Sequence, residues 1–157
     1  MFKIAALYKF AEVSNPCKAQ SEIRANLKNL SIHGTILIGQ EGLNGTISGS
    51  KKNIDKAIAY IRQLKNFKDT DVKFSEANIN PFIRLKIKLK DEIVTIGDKT
   101  INPVSISGNY IEPKNWNDVI ADDNTILIDT RNDYECSIGT FKNAINPKTV
   151  KFRDFPE

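Results

Sequence analysis

The first 77 residues alternate between two hydrophobic periods, and the order of that alternation leaves few folds open. Phe2, Ile4, Ala6, Tyr8 and Phe10 recur at every second position, which places them on one face of a strand. Asn15-Pro16 then offers an N-cap followed by proline at the first helical position. Ile23, Leu27 and Leu30 form the apolar stripe of that helix, which is predicted to run to His33-Gly34. There His33 would sit against the negative end of the helix dipole. Thr35 to Ile38 is a continuous apolar run, as expected of a strand covered on both faces. Asn44-Gly45 predicts the tight turn of a hairpin, since both residues tolerate positive φ. Ser50 caps a second helix with Ile54, Ala57, Ile58, Ile61 and Leu64 on its stripe, and Asp71 to Phe74 follows as a strand. The order βαββαβ predicts a ferredoxin-like α+β domain, its two helices on one face of one sheet. An acylphosphatase-type catalyst on that scaffold needs a glycine-rich phosphate cradle after the first strand. The loop here, Ala11 to Pro16, has no glycine, which argues against that activity.

Phe82 to Lys90 has the sharpest alternation. Ile83, Leu85, Ile87 and Leu89 share one face, and Arg84, Lys86, Lys88 and Lys90 share the other. Side chains two apart on a strand lie roughly 7 Å apart, so the cations predict a row about 20 Å long. Such a row suits a phosphate backbone, or equally a strand edge that lysines protect from pairing with other chains. Charge is uneven along the chain: residues 1–107 hold 17 Lys/Arg against 10 Asp/Glu, and residues 108–157 hold 6 against 9. The basic portion points to a polyanion partner, with Lys9, Glu41, Asn44, Arg84, Lys86 and Lys88 as candidate RNA-contacting residues. Asp91 to Gly97 reads as a further short strand or turn, and residues 99–107 as a linker. The expected domains are therefore 1–98 and 108–157.

The second portion opens with a short helix after Glu112-Pro113, carrying Trp116, Val119 and Ile120. Thr125 to Ile128 then reads as a buried strand running into Asp129-Thr130-Arg131. A helix with Tyr134 and Glu135, a turn at Gly139 and the segment Ala144 to Pro147 follow. Charged groups at the carboxyl end of a strand are where α/β sheets keep their sites. About fifty residues with one strong strand form only the first part of such a domain. Cys17 and Cys136 are far apart and have no metal or redox spacing, and His33 is the single histidine, so no metal site is expected. Both cysteines read as packing residues, Cys136 because Asp129, Asp133 and Glu135 are the wrong sign to stabilise a thiolate. With no membrane-length apolar run, the expected home is the cytoplasm.

Asp129-x-Arg131 followed by Glu135-x-x-x-Gly139 resembles the opening half of a rhodanese domain. Together with Tyr8-Lys9-Phe10, Glu41 to Gly49, Glu92 to Gly97 and Ile138-Gly139-Thr140-Phe141, in that order, the chain resembles the rhodanese-containing tRNA uridine hydroxylases of the UPF0176 family. The resemblance implies a ferredoxin-like domain followed by a rhodanese-like one. It also implies oxygen-dependent C5 hydroxylation of the tRNA wobble uridine, with molecular oxygen as co-substrate and no other recognisable cofactor. The expected partner is the tRNA anticodon arm, with neither DNA nor membrane. The family's cysteine is expected beyond Glu157, which leaves no catalytic residue in this chain and predicts that residues 1–157 alone are inactive. Asp129, Arg131 and Glu135 would support the cysteine loop, or would simply tie strand end to helix. A rhodanese-type sulfurtransferase and a non-enzymatic RNA-binding module are the competing readings.

Overall fold

The computed structural model describes residues 1–98, 103–105 and 108–155; most of the expected linker, 99–107, lies outside the described residues. The chain divides into two compact units, Met1–Val94 with Asn102–Ser105, and Thr95–Ile101 with Ile106–Glu157.

The first unit runs β1 (Phe2–Phe10), α1 (Pro16–Lys28), β2 (His33–Gly39), β3 (Gly42–Gly49), α2 (Lys51–Gln63), β4 (Asp71–Ala77) and β5 (Leu85–Leu89). Its sheet has the order β4-β1-β3-β2-β5, which is the expected ferredoxin-like α+β arrangement with one strand added at an edge. β1 is antiparallel to β3 and β4, β2 is antiparallel to β3, and β5 is parallel to β2. Asn15 caps α1 through its side chain, which accepts the Lys18 N–H at 2.9 Å, and Ser50 caps α2 through the Asn53 N–H at 3.3 Å. Ile23 and Leu27 of α1, and Ile54, Ala57, Ile58 and Ile61 of α2, close over Ala5, Leu7, Ile36, Ile38, Leu43, Ile47 and Ile87 of the sheet.

The structure corrects several local expectations. Phe2, Ile4, Ala6, Tyr8 and Phe10 do share a face, but it is the face without helices; Ala5 and Leu7 enter the core. Asn44-Gly45 is not a turn. Both residues lie inside β3, paired with Leu37 and Ile36 of β2, and the reversal is made at Gln40-Glu41 between Gly39 and Gly42. At Gly45 a Cβ would run into the Thr35 carbonyl and Ile36 Cα, so the glycine answers a close backbone approach. α1 stops at Lys28, and His33 is the first residue of β2, not a helix-end partner. The Phe82–Lys90 strand is shortened to Leu85–Leu89, because Ile83, at 96% exposed, never meets the core. Where a short strand or turn is expected over Asp91 to Gly97, the segment shows bends and no strand.

In the second unit a short 3₁₀ turn at Pro113–Asn115 leads into α3 (Trp116–Ala121), and α4 spans Asp133–Ile138. The buried strand expected at Thr125–Ile128 is reduced to a single parallel bridge, Ile128 to Ile145. Ile126 is 73% exposed, since no second layer of side chains packs on it among the described residues. Trp116 packs on Phe141 with ring centroids 5.3 Å apart.

Candidate functional site

Two places gather the candidate residues. The first is the β5 edge of the sheet. The Cα atoms of Lys86 and Lys88 pair with those of Thr35 and Leu37, which puts both exposed side chains on the helix-free face. Arg84 stands just ahead of the strand, its carbonyl accepting the Gly34 N–H at 3.1 Å. Around the edge, Gln20 Nε2 and Arg24 Nη2 of α1 both donate to the Ile87 carbonyl, at 2.8 and 2.9 Å. Gln20 and Arg24 escaped the sequence reading. Their only signal is i,i+4 spacing beside the Ile23–Leu27 stripe, which says nothing about which strand they reach.

The remaining basic-unit candidates do not join that row. Lys9 pairs with Leu43, a core position, so it lies on the opposite face of the sheet. Glu41 and Asn44 are brought together, but around a backbone segment. Ile93 N–H donates to Glu41 Oε1 at 2.5 Å, and Asn44 Nδ2 donates to the Ile93 carbonyl at 3.0 Å. Ile93 is almost wholly buried, so the two side chains hold the segment after β5 and satisfy both its polar groups.

The second place is the carboxyl end of the Ile128 bridge. Arg131 meets Asp129 as a two-pronged pair, Nε to Oδ1 at 2.9 Å and Nη2 to Oδ2 at 2.6 Å. The same Nη2 donates to the Gly139 carbonyl at 2.6 Å, and Thr140 Oγ1 donates to Asp129 Oδ2 at 2.7 Å. The donors of Arg131, and then Thr140, hold the Asp129 carboxyl well below the usual carboxylate range, and the same pairing raises Arg131. Glu135 accepts from the Asn132 backbone N–H at 3.2 Å and from its side-chain amide at 3.0 Å, which closes the start of α4. Burial first, and then Asp129, push the Cys136 thiol up, so it stays protonated and unreactive near neutrality. The geometry brings Asp129, Arg131 and Thr140 into one network that ties the strand end to the residues after α4. Among the described residues no three His, Cys, Asp or Glu side chains gather as a metal-ligand set. No helix among them is long and apolar enough to cross a membrane.

Residues 2–93 match the family model described as the UPF0176 acylphosphatase like domain. A protein of Bartonella quintana (strain Toulouse) named tRNA uridine(34) hydroxylase is 46% identical over 156 residues, covering 99% of this chain and 51% of its own length. The chain thus spans about half the length of that curated relative. Among solved structures, the dark state of the BLUF protein BlrB is similar at TM-score 0.49 and 16% identity, over 60% of this chain and 78% of that one. An acylphosphatase from Bacillus subtilis is similar at TM-score 0.45 and 11% identity, over 56% and 99%.

Proposed function

The chain belongs to the UPF0176 family, and from that membership we propose that it is the N-terminal part of an enzyme that hydroxylates C5 of the tRNA wobble uridine with molecular oxygen. The observation that carries this reading is the 46% identity to a tRNA uridine(34) hydroxylase along almost the whole chain. On this reading the protein works in the cytoplasm. The basic first unit holds the anticodon arm, whose loop presents a base already free of a duplex. The second unit is the opening of a rhodanese-like domain. Its Asp129–Arg131–Thr140 network fixes a strand end that braces the reactive cysteine loop, and Glu135 fixes the helix that follows the strand end. Neither cysteine of this chain serves as the reactive thiol: Cys136 is buried and held protonated, and Cys17 lies in the first turn of α1, in the other unit. Oxygen chemistry calls on a redox partner for electrons, and the residues of this chain supply framework and substrate positioning.

The test uses the full-length gene product with unmodified tRNA, under air and under nitrogen, followed by mass analysis of the released nucleosides. A uridine heavier by one oxygen atom, formed only under air, is the expected product. Unchanged uridine in both atmospheres would overturn the reading.

A further inference from the structure

We propose that the β5 edge, with Arg24 of α1 joined to Arg84, Lys86 and Lys88, is a groove for the phosphodiester backbone of RNA. The inference rests on the tRNA reading above and says where on the first unit the strand lies. The four cations line one shallow groove of about 430 Å³ whose other walls are Leu85 and Ile87. It contains no carboxylate, and among the described residues none of the four makes an ion pair. Four like charges around one groove repel one another, and a string of phosphates relieves that repulsion while releasing counterions.

The groove on α2 shows that basic character alone is not the feature. It is lined by Lys51, Lys52, Asp55, Lys56 and Ala59, a carboxylate among the cations. Asp55 is itself bound to Lys3 at 2.7 Å. The α2 groove therefore has a carboxylate within its lining, and the β5 edge has none.

The edge is also closed to the commonest alternative occupant, an added β-strand. Lys90 N–H donates to the Ile38 carbonyl and Arg84 accepts from Gly34, so the even-numbered backbone groups face β2 and those of Leu85, Ile87 and Leu89 face outward. The outward Ile87 carbonyl, which an incoming strand would need, already accepts from Gln20 and Arg24. One Nη2 bond orients the Arg24 guanidinium against the edge, and its remaining N–H groups suit a phosphate oxygen. Contacts of this kind position a nucleic acid without reading its sequence.

The test is tRNA binding by the 157-residue chain, followed by fluorescence anisotropy across roughly 50 to 200 mM salt. The triple change Arg24→Gln, Lys86→Gln and Lys88→Gln is compared with Lys51→Gln, Lys52→Gln and Lys56→Gln, which removes equal charge from α2. The groove triple is expected to lower the slope of log affinity against log salt by about 2 to 3, and the α2 triple by less than about 1. The double Lys86→Gln/Lys88→Gln changes only exposed side chains, so the fold should be retained, and it is expected to lower the slope by about 1.5. Equal loss in both triples would mean diffuse charge and would overturn the proposal. So would an unchanged slope in the double, or tighter binding to phosphatidylserine vesicles than to tRNA. If the groove variants lose the slope while the full-length protein leaves uridine unmodified, the hydroxylase reading fails and the RNA groove stands. If hydroxylation proceeds and the slope is unmoved, the reverse holds.

Discussion

Isoleucine has two different fates in this molecule. In the first unit Ile36, Ile38, Ile47 and Ile54 are fully removed from solvent between one sheet and two helices. In the second, Ile126, Ile128, Ile138 and Ile145 all remain exposed, Ile138 to 84%. Burial of a side chain of this size contributes about 1.5 to 3 kcal/mol, so apolar burial dominates the first unit and contributes little from these positions in the second. What organises the second unit is polar: the Asp129–Arg131–Gly139–Thr140 network, the Asn132–Glu135 closure of α4, and Asn146 Nδ2 donating to Asp133 at 2.9 Å. The difference teaches where each unit is vulnerable. A cavity should unfold the first, and a change of charge should loosen the second.

The largest expected effect is therefore Leu27→Ala. Leu27 is wholly buried and packs in the core formed with the sheet, and the truncation is expected to cost about 2 to 5 kcal/mol. Urea unfolding followed by circular dichroism measures this directly. A loss below about 1 kcal/mol would mean that the first unit is not held by its core.

Next in size is Asn44→Ala, which leaves the buried Ile93 carbonyl without its donor. A cost of about 1 to 3 kcal/mol is expected, with faster amide hydrogen exchange localised at Ile93 and its neighbours. Exchange that quickened across the whole of β3 instead would assign Asn44 to the strand rather than to the segment it clamps.

Asn44 also shows what can and cannot be read before folding. The βαββαβ order, both helical stripes and both caps are local properties, and each was legible in the sequence. The turn expected at Asn44-Gly45 was local too, but the ladder on both sides continues through it. Eight paired positions with β1 and seven with β2 outweigh one dipeptide's preference for a turn. The face of β1 that meets the helices was hidden for a related reason. Both of its alternate sets carry apolar residues, and the larger set faces away from the core. At the candidate sites, Asp129, Arg131 and Glu135 were legible because they lie close together in sequence. Arg24 and Gln20 were not, since their meeting with Ile87 spans more than sixty residues and depends on α1 crossing the β5 edge.

A smaller effect is expected from Ile138→Ser. Side chains this exposed usually change stability by less than about 0.5 kcal/mol, so the unfolding midpoint should stay in place while solubility rises. A loss as large as that of Leu27→Ala would show that Ile138 is covered in solution, and the contrast between the units would then need redrawing.

The last prediction separates the units by pH. Trp116 is the single tryptophan, it belongs to the second unit, and its fluorescence reports that unit alone. The Asp129 carboxyl titrates below its ordinary range in the folded chain because Arg131 and Thr140 donate to it. A carboxyl depressed on folding stabilises the folded state above its unfolded pKa, about 3.9, and that contribution fades as pH falls through the lower folded value. At neutral pH Asp129→Asn should loosen the second unit only modestly, because the Arg131 side of the pair is half exposed and screened. The gap between wild type and Asp129→Asn, read by Trp116 during urea unfolding, should be constant from pH 7 down to about 4 and then narrow. High salt should shrink it as well. A gap that widened on acidification would mean that Asp129 takes up its proton more readily when folded, and the polar network could not then be what organises the second unit.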